Sequence, residues 1–204
     1  MTTAGKNSTA PYEALVVDLG GVIVPHDNEV LYRLLASRCP ARTSAEAIAA
    51  AARDPRYERG ELPIRHLYER LRRESGYAGE FADFVADWCS HLGLDPAMLD
   101  YVERLAARRR TLIFSNTNRE HWEHLVRMSG GRLGRLEAHL SYEIGDAKPS
   151  VSSFLLVARR AGIVPARCFF VDDKPENVAA ARQAGFDGLV FTSQASLEEA
   201  LTGR

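Results

Sequence analysis

The sequence predicts an α/β protein: a Rossmann-like parallel sheet with helices on both faces, and an all-helical block inserted after the first strand. Three observations predict it. Short apolar runs rich in Val, Ile, Leu and Phe fall at residues 14–17, 111–115, 167–172 and 188–192. Continuous runs of that kind suit strands buried on both faces. After residue 110 these runs alternate with helix-spaced segments, which implies crossovers and parallel pairing. Between residues 29 and 109 no segment has strand character, so the intervening block is read as all helix.

The first strand, in Glu13-Ala14-Leu15-Val16-Val17-Asp18-Leu19-Gly20-Gly21, ends in one carboxylate followed closely by two glycines. Pro25-His26-Asp27-Asn28 is a turn-like cluster. In the helical block, Leu31, Leu34 and Leu35 share one face, and Thr43 with Glu46 has the spacing of a capping box. Pro63 suits a helix start before Ile64, Leu67, Tyr68 and Leu71. Phe81, Phe84 and Trp88 form another stripe, and Asp95-Pro96 starts the helix that carries Met98, Tyr101, Val102 and Leu105. The second strand, 111–115, runs into Asn116-Thr117-Asn118 and a helix over 120–128, and a short strand is expected at 138–142. A helix over 150–160 stops at Gly162, a strand covers 167–172, and a helix over 175–184 opens on proline and stops at Gly185. A last strand at 188–192 and a short helix at 197–201 complete the chain. The expected division is a sheet-bearing core over 12–27 and 110–204, a helical block over 28–109, and a flexible tail over 1–11.

With 204 residues, 46% hydrophobic and 26% charged, the composition is that of an ordinary soluble protein. A formal net charge of -1 gives no reason to expect a nucleic acid or a membrane surface as partner. No apolar run is long enough to span a bilayer, and the first residues lack the apolar segment of a signal peptide. Cys39, Cys89 and Cys168 are odd in number and widely spaced, so they read as reduced packing residues in a cytoplasmic protein.

Chemistry gathers at strand ends. Asp18, Ser115-Asn116, the loop Asp146-Ala147-Lys148-Pro149, and Asp172-Asp173 all fall at one edge of a parallel sheet, where open α/β sheets bind ligands. A carboxylate at such a place is costly unless it binds a cation, pairs or reacts. Carboxylates that hold Mg²⁺, a lysine and a hydroxyl that meet phosphate oxygens, and a carboxylate able to attack phosphorus form a set suited to phosphoryl transfer.

In these motifs the chain resembles the haloacid dehalogenase superfamily of hydrolases. Asp18-Leu19-Gly20-Gly21-Val22-Ile23 resembles the first family motif, Leu112 to Asn116 the second, and Lys148-Pro149 the third. Phe170-Val171-Asp172-Asp173, with Asn177 beyond it, resembles the fourth. The helical block falls where the family places a helical cap. The resemblance implies Asp18 as nucleophile and metal ligand, and Lys148 as the bridge between nucleophile and phosphoryl group. It implies Ser115 and Asn116 as phosphate ligands. Mg²⁺ would be held by Asp18, Asp173 and the backbone carbonyl of Gly20, with Asp172 in direct or water-bridged contact. The nearest branch has small helical caps, an Asp-Leu-Gly-Gly or Asp-Leu-Gly-Asn first motif, and sugar-phosphate phosphatases among its members.

One position departs from the pattern. Family phosphatases usually carry a second aspartate, as general acid and base, where this chain has Gly20. Asp27 and His26 are the candidate substitutes, against a plain turn at the cap hinge. The resemblance therefore implies a Mg²⁺-dependent phosphatase acting on a small phosphorylated metabolite. Two alternatives are a 2-haloacid dehalogenase and a phospho-ligand-binding protein of weak turnover. His121 and His124, one turn apart, could share a metal or line the pocket, and Trp88, Phe81 and Phe84 could be pocket or core.

Overall fold

Strands form where the apolar runs predict them. In a computed structural model that describes residues 12–40 and 43–202, they are β1 (Ala14–Val17), β2 (Arg110–Ser115), β3 (Glu137–Leu140), β4 (Cys168–Asp172) and β5 (Asp187–Val190). The tail expected over 1–11 lies outside the described residues. All pairings are parallel, in the order β3-β2-β1-β4-β5. The first strand is therefore central, with Val17 opposite Ile113 on one side and Val171 on the other. This register brings the ends of β1, β2 and β4 to the same edge.

Alternate residues of each strand face opposite layers, as the period of two requires. Ala14, Val16, Leu112, Phe114 and Phe170 pack with Phe154 and Val157 of α9 (Val151–Ala161) and Val178 and Ala181 of α10 (Pro175–Gln183). Leu15, Val17, Ile113, Phe169 and Val171 face the other way. They meet Met98, Leu99 and Val102 of α6 (Pro96–Ala106), Leu125 of α7 (Arg119–Met128) and Leu197 of α11 (Gln194–Thr202). Full burial of a Phe or Leu of this kind contributes about 1.5–3 kcal/mol.

A third core belongs to the helical block alone. Leu31 and Leu35 of α1 (Asn28–Ser37) and Ile48 of α2 (Ala45–Ala52) contribute, as does Tyr57 of α3 (Pro55–Glu58). So do Leu67 and Leu71 of α4 (Ile64–Ser75) and Phe84 and Trp88 of α5 (Phe81–Cys89). Buried Asp87 accepts from Arg38 and from the Tyr77 hydroxyl, which ties α1 to α5. This core ends at Cys89, short of the boundary expected at 109, because α6 buries its apolar face on the sheet. The expected capping box does not form: Ser44, not Thr43, caps α2, accepting from the Ala47 amide, and Ala47 has no polar side chain to return the bond. The short strand expected at 138–142 gives way at Ser141, which starts α8 (Ser141–Ile144).

Two segments join the block to the sheet layer, and they run side by side. Gly93 N donates to Pro25 O at 2.8 Å, Asp95 N donates to Ile23 O at 2.9 Å, and His26 pairs antiparallel with Leu92. Cys39, Cys89 and Cys168 are free and buried in these cores.

Candidate active site

Asp18 follows the last residue of β1, and its own amide donates to Val171 O at 2.8 Å, so the backbone of β4 fixes its place. The chain then turns back on itself, with Val24 N donating to Leu19 O at 2.8 Å and Gly21 N donating to Val24 O at 3.0 Å. Gly21 has φ +71, and a Cβ there would collide with the Asp173 carboxylate. Only glycine meets both conditions.

Lys148 is the hub. Its buried ammonium lies 2.7 Å from Asp18 Oδ1 and 2.6 Å from Asp172 Oδ2, and donates to Phe114 O at 3.0 Å. Burial opposes that charge, but the two carboxylates outweigh burial and hold the ammonium above the usual lysine range. Burial pushes the Asp18 carboxyl up to about 6, against the pull of Lys148 and with a push from Asp172. Asp172 is fully engaged. Besides Lys148, it accepts from the Lys174 amide at 2.9 Å and from Asn177 Nδ2 at 2.9 and 3.0 Å.

Asp173 is different. Its Oδ1 is buried with no hydrogen-bond partner, and burial followed by repulsion from Asp172 raises its carboxyl. Carboxylate oxygens of Asp18, Asp172 and Asp173 lie within 4.8 Å of one another. An orphaned carboxylate oxygen beside two others is a donor set that fits a hard divalent cation. Asp172 is the least available of the three, since its oxygens already accept from lysine, asparagine and backbone.

Ser115 is buried at the end of β2, and its hydroxyl faces the cleft without a partner among the described residues. The Asn116 side chain is committed elsewhere. Its Nδ2 donates to Lys148 O at 2.8 Å and to Glu58 of α3 at 3.2 Å, while its Oδ1 accepts from Lys148 N at 2.9 Å. It therefore positions Lys148 and meets the helical block. Asp146 lies apart, accepting from Ser152 at 2.6 Å.

The helical block roofs these groups and leaves a cleft of about 370 Å³, lined by Asp18, Gly20, Ser115 and Lys148 below and by Tyr57, Glu58 and Trp88 above. His121 also lines it, with Nδ1 bonded to Asn118 Nδ2 and Nε2 to Trp88 O, and stacks on Trp88 at 5.0 Å. Among the described residues His121 and His124 belong to no metal-ligating cluster. Phe84 is core, Trp88 is both core and cleft wall, and Phe81 is half-buried on the block beneath Arg65. Asp27 is spent on capping α1, accepting from Glu29 N at 2.9 Å and Val30 N at 3.2 Å. His26 lines the cleft. Glu58 and His91 also line it, and no sequence pattern marks either one.

Fold, motif order and carboxylate cluster define one class of protein, and the chain belongs to it: residues 12–185 match the haloacid dehalogenase-like hydrolases. Among individual relatives, the D-ribitol-5-phosphate phosphatase of Bacteroides thetaiotaomicron is 24% identical over 197 residues, covering 92% of this chain and 96% of that protein. The chloroplastic flavin mononucleotide hydrolase 1 of Arabidopsis thaliana is 36% identical over 73 residues. That match spans 33% of this chain and 30% of that protein's length. Among solved structures, a haloacid dehalogenase family enzyme of B. thetaiotaomicron, in complex with magnesium and inorganic phosphate, superposes with a TM-score of 0.79 at 23% identity. It covers 91% of this chain and 98% of its own. The L-2-haloacid dehalogenase of Xanthobacter autotrophicus shares the fold at a TM-score of 0.59 and 20% identity, covering 94% of this chain and 83% of its own.

Proposed function

We propose that the protein is a Mg²⁺-dependent phosphomonoester hydrolase that works through an aspartyl-phosphate on Asp18. The observation that carries this reading is the buried Asp18 carboxylate set 2.7 Å from the Lys148 ammonium at the floor of the cleft. Lys148 holds Asp18 in place and faces the incoming phosphoryl group with positive charge. The Ser115 hydroxyl and the backbone around it receive phosphoryl oxygens. Asp18 Oδ attacks phosphorus and the bond to the leaving oxygen breaks; water then attacks phosphorus and frees the carboxylate. Asp173 and Asp18, with the Gly20 carbonyl, are the residues that would hold Mg²⁺, with Asp172 beside them in direct or water-bridged contact. When bound, the cation offsets the charge of the phosphoryl oxygens.

A sugar or sugar-alcohol phosphate is the substrate class we favour. The relative that covers 92% of this chain is named for a pentitol phosphate, and a cleft of about 370 Å³ is at the small end of ligand sites. The test is phosphate release from a panel of phosphorylated metabolites, with Mg²⁺ and with EDTA. Turnover that needs Mg²⁺ and disappears in Asp18→Asn is expected. Halide release from a 2-haloacid without Mg²⁺, or tight phospho-ligand binding without turnover on any substrate, would overturn the reading.

A further inference from the structure

The alcohol of an ordinary phosphate ester leaves as an alkoxide, and protonating that oxygen as the bond breaks accelerates such steps by about 10²–10⁴-fold. Family phosphatases usually carry an aspartate for this at the position of Gly20, which has no side chain. We infer that His26 takes its place: the imidazole meets the leaving-group oxygen and passes it the proton. This inference rests on the phosphatase reading above.

Geometry carries it. A Cβ on residue 20 would sit 3.3 Å from His26 Cε1 and 3.7 Å from Nδ1, so the imidazole already fills the space that a side chain at 20 would enter. Both residues line the cleft that holds Asp18. His26 Nδ1 is 3.3 Å from Val24 O and donates to it, which leaves Nε2 without a partner among the described residues. The ring is carried on a braced segment, since His26 pairs with Leu92 and Pro25 O accepts from Gly93 N at 2.8 Å. A braced donor holds its geometry better than one on a free loop.

Several other protic groups of the region are committed. Asp27 caps α1, Lys148 is held by Asp18, Asp172 and Phe114 O, and both ring nitrogens of His121 are bonded. His91 faces away from ionisation: burial pushes it down to about 4.

The step balances. Asp18 Oδ forms its bond to phosphorus, the bond from phosphorus to the substrate oxygen breaks, and the Nε2 proton of the imidazolium goes to that oxygen. The alcohol departs and a neutral imidazole remains. In the second step Nε2 takes a proton from water as the water oxygen bonds to phosphorus. The Asp18–phosphorus bond breaks, phosphate leaves, and carboxylate and imidazolium are restored.

The test compares kcat on an alkyl phosphate, ribitol 5-phosphate, with kcat on 4-nitrophenyl phosphate, whose acidic phenol leaves without a proton. In His26→Ala the alkyl-to-aryl ratio is expected to fall on the order of 10²-fold. His26→Asn, which keeps polarity but supplies no proton, is expected to behave the same way. Adding Gly20→Asp to His26→Ala places a carboxyl in the vacated space and is expected to recover the ratio by roughly tenfold or more. A ratio in His26→Ala within roughly threefold of the parent, with both rates measurable, overturns the inference and leaves the phosphatase reading standing. A parent protein that hydrolyses neither ester with Mg²⁺ overturns that reading and this inference together.

Discussion

Lys148 and Asp18 illustrate two opposite relations between stability and activity. Removing Lys148 leaves Asp18 and Asp172 buried side by side without their shared cation. Loss of one partner from a buried ionic group costs about 3–5 kcal/mol, so Lys148→Met should lower the unfolding free energy by that amount and abolish turnover together. Urea unfolding and phosphate release check the pair of outcomes. Asp18 is the reverse case. Burial pushes its carboxyl up to about 6, so near pH 7 the folded protein holds an ion it resists. Asp18→Asn should raise stability by about 1–2 kcal/mol in EDTA while removing the nucleophile. Melting curves that show Asp18→Asn less stable than the parent would refute this account of the site.

At the level of elements, the approach of the helical block to the sheet layer depends on α3. Gly60, just after α3, has φ +71, and a Cβ there would collide with the Tyr142 carbonyl of α8. Two residues earlier, Glu58 accepts from Asn116. Gly60→Ala should therefore push α3 off α8, open the cleft and raise KM about tenfold, with a smaller effect on kcat. Asp27 belongs to the same level: with its oxygen capping α1, Asp27→Ala should cost about 1 kcal/mol of stability, measured by urea unfolding. The strands were legible because burial on both faces makes them continuous apolar runs. The strand-end acids were legible because each closes an apolar run, and Lys148, in a loop, because it falls in order with them at the same sheet edge. Other features were not. The stripe Met98, Leu99 and Val102 shows that α6 has an apolar face, but not that the sheet, rather than the helical block, covers it. Ser141 ends β3 because its buried hydroxyl donates to Thr117 O and accepts from Thr117 N, a pairing across 24 positions that no local pattern signals. The contact of Glu58 with Asn116 likewise exists only once the block has folded over the sheet.

For the molecule as a whole, the helical block and the sheet layer meet partly through uncharged histidines. His121 stacks on Trp88 of α5, and His91 lies 5.3 Å from His121. Burial pushes His121 down to about 3 and His91 down to about 4, each lowered further by the neighbouring imidazole charges. An unfolded histidine titrates near 6.5, so above that pH both rings are neutral in either state and their contribution to stability is fully present. Below it the unfolded chain takes up protons that the folded protein refuses, and stability falls with pH until about 4 for His91 and 3 for His121. Asp18 acts with the opposite sign, because its raised carboxyl makes the folded state the first to take a proton as pH falls toward 6. The two effects overlap between pH 7 and 5, so they are best separated in the Asp18→Asn background. There, in EDTA, unfolding free energy is expected to drop by at most ~1.4 kcal/mol for each unit of acidification per ring. His121→Phe, which keeps a ring against Trp88 but cannot be protonated, should remove its share of that slope. If urea unfolding between pH 7 and 5 gives the same slope with His121 and with Phe in its place, the neutral histidine is not what makes this interface acid-sensitive.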